Sequence, residues 1–78
     1  MIVSALVVTL GPDPSGHAAV LARLAADPRI TLGQPCRDRV PVVTEVASAD
    51  AGAALVEALQ AADGVARVDV VSIDFEVP

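Results

Sequence analysis

Few residues in this chain could do chemistry. There is one histidine, His17, and one cysteine, Cys36, and there is no lysine, tyrosine or tryptophan. Histidine is the usual general base at neutral pH, but no serine, cysteine or second carboxylate lies at a spacing from His17 that predicts a catalytic set. Cys36 lies between Pro35 and Arg37, and the sequence offers it no base. We therefore expect no catalytic residues and no enzymatic activity.

Metal and cofactor sites are also unfavoured by the residue types present. One cysteine and one histidine cannot form a Cys/His metal cluster, and a chain without lysine cannot form a lysine Schiff base. Gly11 and Gly16 match neither a dinucleotide fingerprint nor a phosphate-binding loop. We expect no metal and no cofactor, and the chemistry of the chain points to binding.

Composition limits the partners and the location. The 78 residues form a single domain, 1–78, with a net charge of −5 and only one aromatic residue, which disfavours nucleic acid as a partner. The longest apolar stretch is shorter than the roughly 20 residues that a membrane span needs, so we expect no membrane insertion. A single cysteine and no export leader favour the cytoplasm.

Four segments have the composition of β-strands: residues 2–10, 29–33, 40–46 and 65–77. Alternate residues of a strand point to opposite faces, and in the first segment both sets of alternate residues are mainly apolar. A strand that is apolar on both faces is typically central in its sheet. The second has a low apolar content, which favours an edge. Pro41 has no backbone N–H to donate to a neighbouring strand. The start of the third strand is therefore predicted to lie at a rim of the sheet or at an unpaired position.

Two segments between the strands have helical spacing. Asp13 and Pro14 are predicted to begin the first helix, which ends before residues 27–28. Ser48 is predicted to cap the second helix, which Gly64 ends. The stripes predicted to be buried are His17, Val20, Leu21 and Leu24 in the first helix, and Ala51, Ala54, Leu55, Ala58, Leu59 and Ala62 in the second.

The element order β-α-β-β-α-β predicts an α+β fold. Two right-handed crossovers interlock in few ways, and the ferredoxin-like solution has an antiparallel sheet of strand order 4-1-3-2 with both helices on one face. This arrangement places the first strand in the interior, as its two-sided apolarity requires.

The face without helices is where we expect the functional site. Polar residues are usual on such a face, but alternation places Val71, Ile73 and Phe75 there if Val68 and Val70 point toward the helices. A β-bulge near Val70–Val71 would exchange the two sets in the last part of the strand. A contiguous apolar patch usually marks an interaction site. The other apolar residues predicted on this face are Val43, Val3, Ala5 and Val7.

Charge at the margin of this patch suggests the partner. Residues 63–78 contain four acidic residues and one arginine, which gives this segment a net charge of −3. Residues 29–39 have a net charge of +2. Glu45 belongs to the same alternating set as Val43. An apolar floor with an acidic margin suits a peptide that carries arginine beside a hydrophobic segment. The predicted peptide-binding residues are Val43, Glu45, Asp69, Val71, Ile73 and Phe75.

Three segments resemble the NapD-like family, the small assembly chaperones of the periplasmic nitrate reductase. Residues 4–8 (SALVV) resemble the first strand of that family, and residues 42–45 (VVTE) resemble its third strand. The run from Ala58 through Gly64 to Val71 resembles the close of its second helix and its last strand. The sequence departs from the family at residues 73–76, where a polar or histidine-containing end is usual.

This resemblance implies a cytoplasmic, ferredoxin-like chaperone. It would bind the twin-arginine signal peptide of an exported molybdenum-containing reductase on its open sheet face and delay export until cofactor insertion. The client is either the nitrate reductase or another exported redox enzyme. The apolar segment of the peptide would bury against Val43, Val71 and Ile73. The acids that would steer the two arginines are Glu45, Asp69, Asp74 or Glu76.

Two other functions fit the same apolar face. One is a small-molecule-sensing or regulatory ferredoxin-like module that dimerises through its sheet and binds an effector at the interface. The sequence shows no DNA-binding domain and no glycine-rich turn suited to an amino-acid ligand, which weighs against it. The other is a structural subunit that oligomerises through its sheet. For the chaperone, we expect a monomer or a weak homodimer.

Overall fold

The computed structural model describes residues 2–75, and the side chains of residues 2–72. The sheet order is β2-β3-β1-β4 and every neighbouring pair is antiparallel, which confirms the predicted order 4-1-3-2 in reverse and the ferredoxin-like α+β fold. Residues 76–78, which include Glu76 and the end of the predicted last strand, lie outside the described residues. The elements are β1 (Ile2–Leu10), a 3-10 turn (Pro14–Gly16), α1 (His17–Ala25), β2 (Ile30–Leu32), β3 (Arg39–Val46), α2 (Ala49–Ala61) and β4 (Val65–Phe75).

The side-chain caps predicted at Asp13 and Ser48 are both present, but only Ser48 caps an α-helix directly. Asp13 caps the 3-10 turn before α1, and the N-cap of α1, Gly16, makes no side-chain hydrogen bond. The carboxylate of Asp13 accepts hydrogen bonds from the backbone N–H of Ser15 at 3.1 Å and from its hydroxyl at 2.8 Å. These bonds lower the pKa of Asp13. The hydroxyl of Ser48 accepts from the backbone N–H of Ala51 at 3.1 Å, the usual N-cap geometry. The first turn after Asp13 is a 3-10 turn, so α1 itself starts at His17.

The core lies between the sheet and the two helices. Leu55 and Leu59 of α2 are buried, but Ala54 and Ala58, which the sequence places in the same stripe, are exposed. The contact face of α2 is therefore narrower than the predicted stripe: Ala51 packs against the core and Ala62 is half-buried, whereas Ala54 and Ala58 lie outside the contact. The buried apolar residues are Leu6, Val8, Leu10, Val20, Leu24, Ile30, Val40, Val42, Val46, Leu55, Leu59 and Val68.

Pro41 lies at the point where the pairing between β3 and β2 ends. Its carbonyl accepts from the N–H of Gly33 at 2.7 Å, so the backbone polar groups at this position face β2. Because β2 ends at Leu32, just before this point, the missing N–H of Pro41 lies beyond the paired part of the strand. Pro41 is thus at the end of the β2 ladder, as expected, but it remains paired with Val7 of β1 on its other side.

Gly64 joins the end of α2 to β4 in a conformation that glycine favours. Its φ is +85°, and a Cβ atom built there would lie 2.5 Å from Cγ2 of Val20. Its carbonyl accepts from the N–H of Gly11 at 2.7 Å, which ties this turn to the end of β1. Among residues 2–75, no helix is long and apolar enough to cross a bilayer.

Candidate functional site

The sheet has one face covered by the helices and one open face. Burial alternates along β1 and β3, so every second side chain is buried against the helices and the side chains between them remain accessible. This is the period-two pattern of a sheet with one covered face. The accessible set, which we call the open face, includes Val3, Ala5, Val7 and Thr9 of β1 and Arg39, Pro41, Val43 and Glu45 of β3.

The middle of the open face is apolar. In the strand register, Val7 lies opposite Pro41 and Ala5 lies opposite Val43. Val43 is 40% exposed and Val71 of β4 is 65% exposed, although both are large aliphatic residues. These five residues, which we call the apolar floor, line a shallow depression of about 320 Å³ that extends to β2. Exposed apolar surface of this kind is typical of a binding site.

A β-bulge brings Val71 to the apolar floor. Ala5 lies opposite Ser72, whereas the next residue of β1, Leu6, lies opposite Val70, so Val71 is an extra residue in β4. Val70 therefore shares the covered face with the buried Leu6, although Val70 itself is 47% exposed. Two adjacent valines thus lie on opposite faces of the sheet.

The same bulge changes the register of the residues that follow. Without it, Ile73 and Phe75 would share the face of Val71, as the sequence alternation predicts. In the observed register Ile73 lies opposite Ser4 and Phe75 lies opposite Ile2. Ser4 and Ile2 both line a separate gap of about 350 Å³ on the helix side of the sheet. The prediction of Ile73 and Phe75 on the open face assumes uninterrupted alternation along β4, and the observed register does not follow it. The side chains of these two residues lie outside the described residues.

Glu45 lies at one end of the open face. It is opposite Val3, one row beyond the apolar floor, and it is exposed. Its backbone N–H donates to the carbonyl of Arg29 at 2.9 Å, which fixes the strand. Within the described part of the chain its carboxylate makes no ion pair. This carboxylate is therefore available to a cation from a partner.

Asp69 is on the open face but already has a cation. It lies opposite Val7, beside the apolar floor. Both of its carboxylate oxygens accept from Nε of Arg67, at 3.1 and 2.9 Å. The pair is exposed and so contributes little stability, but it neutralises the acid that the sequence placed in the site.

The opposite end of the open face is basic. Thr9 lies between Arg39 of β3 and Arg67 of β4 in one row of the sheet. Arg37 lies in the turn just before β3, where its φ is +59°. The open face therefore runs from a free carboxylate at the Val3 end, across the apolar floor, to guanidinium groups at the Thr9 end.

The arginines of residues 29–39 do not form one cluster. Arg37 and Arg39 lie at the Thr9 end, whereas the carbonyl of Arg29 bonds to β3 at Glu45, at the other end of the sheet. The guanidinium of Arg29 donates to Asp27 at 2.7 Å and lowers the pKa of that carboxyl to about 2. Arg29 therefore belongs to the turn between α1 and β2 and not to the basic end of the open face.

His17 and Cys36 lie away from the open-face centre. Nε2 of His17 lies 2.7 Å from the carbonyl of Gly11, a contact in which the ring nitrogen donates, and this contact fixes the start of α1. Cys36 is exposed in the turn that Arg39 closes by pairing with it. Among the described residues no group of acids, histidine and cysteine could hold a metal ion.

The structure thus brings Val43, Glu45, Asp69 and Val71 to one face. Val3, Ala5 and Val7, also predicted on this face from strand alternation, lie there too. Pro41 was not predicted as part of the apolar floor, although it belongs to the same alternating set as Val43 and Glu45. The basic end was not predicted either, because Arg39 and Arg67 are far apart in sequence and meet only through the pairing of both strands with β1.

Comparisons with known proteins support the fold. No protein-family model and no curated protein sequence matches the chain. A solved structure that matches is described as the solution structure of the E. coli Tat proofreading chaperone protein NapD, with a TM-score of 0.78 and 21% sequence identity. The match covers 95% of this chain and 78% of that one. The chain is therefore similar in fold to a protein of the family that its sequence resembles.

Proposed function

We propose that this protein is a non-catalytic chaperone that binds the twin-arginine signal peptide of an exported molybdenum-containing reductase, of the nitrate reductase type. The peptide occupies the open face, and its binding delays export until the cofactor has been inserted into the enzyme. The observation that carries this proposal is the apolar floor with the free carboxylate of Glu45 beside it.

The chemistry of the two surfaces is complementary. A twin-arginine signal has two adjacent arginines followed by an apolar segment. The aliphatic side chains of that segment remove Val43 and Val71 from water, which is favourable by roughly 25 cal/mol per Å² of apolar surface. The guanidinium groups gain an acceptor in Glu45, and charge complementarity of this kind mainly sets specificity and association rate.

The likeness in fold to NapD, which is described as a Tat proofreading chaperone, supports the same proposal. All three sequence segments that resemble the NapD-like family contribute to the open face, and the run from Ala58 to Val71 supplies Asp69 and Val71. Residues 4–8 contain Ala5 and Val7, and residues 42–45 contain Val43 and Glu45. The cytoplasm, where signal peptides are made, is the location that this function requires.

Calorimetric titration with two peptides tests the proposal. One peptide has two arginines followed by an apolar segment, and the control has two lysines in their place. We expect saturable 1:1 binding and a weaker affinity for the lysine peptide, because lysine cannot form the bidentate contact that arginine makes with a carboxylate. Equal affinities would remove the arginine contact from the proposal, and no binding of either peptide would overturn it.

The oligomeric state separates this function from the two alternatives. Light scattering is expected to show a monomer or weak dimer that forms a 1:1 complex with the arginine peptide. A stable dimer whose mass does not change with peptide would favour the sensing module or the structural subunit, since both bury the open face between two copies.

A further inference from the structure

The open face has a carboxylate at one end of its strands and guanidinium groups at the other, so its two ends differ for a peptide whose charge lies at one end. We propose that the signal peptide binds in one direction only, with its two arginines at the Glu45 end and its apolar segment running toward Thr9. The peptide chain then runs in the same direction as β1. This inference rests on the proposed function and adds to it the direction of the bound peptide.

The free carboxylate fixes one end. Glu45 is exposed and unpaired among the described residues, whereas both oxygens of Asp69 already accept from Arg67. An incoming arginine at Asp69 must displace an existing ion pair, but at Glu45 it meets an acceptor to which no described residue supplies a cation. Glu45 is therefore the acid that binds the arginine pair.

The basic row excludes the reversed direction. In that direction the two arginines of the peptide lie against Thr9. They then lie beside Arg39, which makes no ion pair among the described residues, and beside Arg67, which is already paired with Asp69. Like charges brought together at an interface are strongly unfavourable and act against the wrong orientation. The same row is favourable for the polar carboxyl-terminal part of a peptide, whose carbonyl oxygens accept from guanidinium groups.

The length of the open face matches the apolar segment of a signal. From Val3 to Thr9 there are six residues of rise in β1, which at about 3.3 Å each span roughly 20 Å. An α-helix covers that distance in about 13 residues and an extended chain in about six. An apolar segment directly after the arginine pair therefore lies over the apolar floor, and its end reaches the basic row.

The single cysteine of the chain gives a direct test. Cys36 is exposed and lies beside Arg39, at the Thr9 end. A nitroxide attached there broadens the NMR signals of nearby residues in an isotope-labelled peptide. A second protein, Cys36→Ser with Ala47→Cys, carries the nitroxide just after β3, at the Glu45 end. Both positions are exposed, so both labels leave the core unchanged.

We expect opposite gradients from the two labels. The label at residue 36 should broaden the carboxyl-terminal half of the peptide most, and the label at residue 47 should broaden the arginine pair most. The reversed gradients, or equal broadening of both halves by each label, would overturn the inference while the observed binding still supports the proposed function. Absence of binding by the unlabelled protein would instead overturn the proposed function.

Discussion

Replacement of Val71 by aspartate tests the apolar floor at its most exposed point. Val71 is 65% exposed on the open face, and the β-bulge that places it there leaves the adjacent Val70, 47% exposed, on the opposite face. Val70→Asp is therefore a matched control: the same residue type, a similar exposure and the next position in the same strand, but a different face.

The expected size of the effect follows from the exposed fraction. Full burial of a valine or similar side chain stabilises by about 1.5 to 3 kcal/mol, so covering the 65% of Val71 that is exposed contributes about 1 to 2 kcal/mol to binding. Loss of that contribution weakens the affinity roughly 5- to 25-fold. A carboxylate under an apolar peptide segment adds a desolvation cost, so this range is a lower limit.

The assay is titration of each variant with the two-arginine peptide, after thermal unfolding has shown that both variants are folded. Val71→Asp should lower the affinity at least roughly fivefold, and Val70→Asp should change it by less than about twofold, as is usual for a surface substitution away from a site. If both variants bind as the wild type does, or if Val70→Asp has the larger effect, the open face is not the binding surface.

Three further predictions concern single residues. Glu45→Gln should weaken binding of the two-arginine peptide and reduce the dependence of that binding on salt, whereas Asp69→Asn should do neither. Titrations at low and high ionic strength measure the affinity and its salt dependence. Equal effects of the two variants would refute the assignment of Glu45. Gly64→Ala should lower the free energy of unfolding by about 2 to 4 kcal/mol in denaturant melts, since it combines a positive φ with a clash against Val20; an unchanged midpoint would contradict this. Because the pKa of Asp27 is lowered to about 2, its contribution to stability is present above its unfolded value near 4 and is lost as the pH falls toward 2. Asp27→Asn should therefore flatten the acid side of the stability profile, and identical profiles would contradict the prediction.

The fold was predictable because composition and spacing agree. The two-sided apolarity of residues 2–10 indicated an interior strand, and β1 pairs with both β3 and β4. Ser48 and Gly64 marked the ends of the second helix through local chemistry that does not depend on the rest of the chain. Topology rules for two crossovers then left few arrangements.

The site was predictable only in part, because two of its features depend on strand pairing. The bulge at Val71 is a property of the β1–β4 ladder, and no residue type in β4 shows which valine is the extra one. It shifts the backbone register of the residues that follow Val71 relative to β1. The basic end likewise depends on the ladders, which bring Arg39 and Arg67 into one row with Thr9.

The exposed alanines of α2 illustrate a different limit. Helical spacing indicates which residues share a stripe, but the width of the stripe that touches the sheet depends on the size of its side chains. Leu55 and Leu59 make that contact, and Ala54 and Ala58 lie beside it. In an alanine-rich helix, the predicted buried stripe is therefore wider than the set of residues that contacts the sheet.

Methyl-resolved NMR of the valines during peptide titration tests the central claim most directly. Valines of both faces alternate along the same strands, so each face has its own reporters. We predict that the methyl signals of Val3, Val7, Val43 and Val71 shift with the two-arginine peptide, and that those of the covered set, Val8, Val40, Val42 and Val68, shift much less. Shifts confined to the covered valines, or absent from both sets at saturating peptide, would contradict a binding site on the open face.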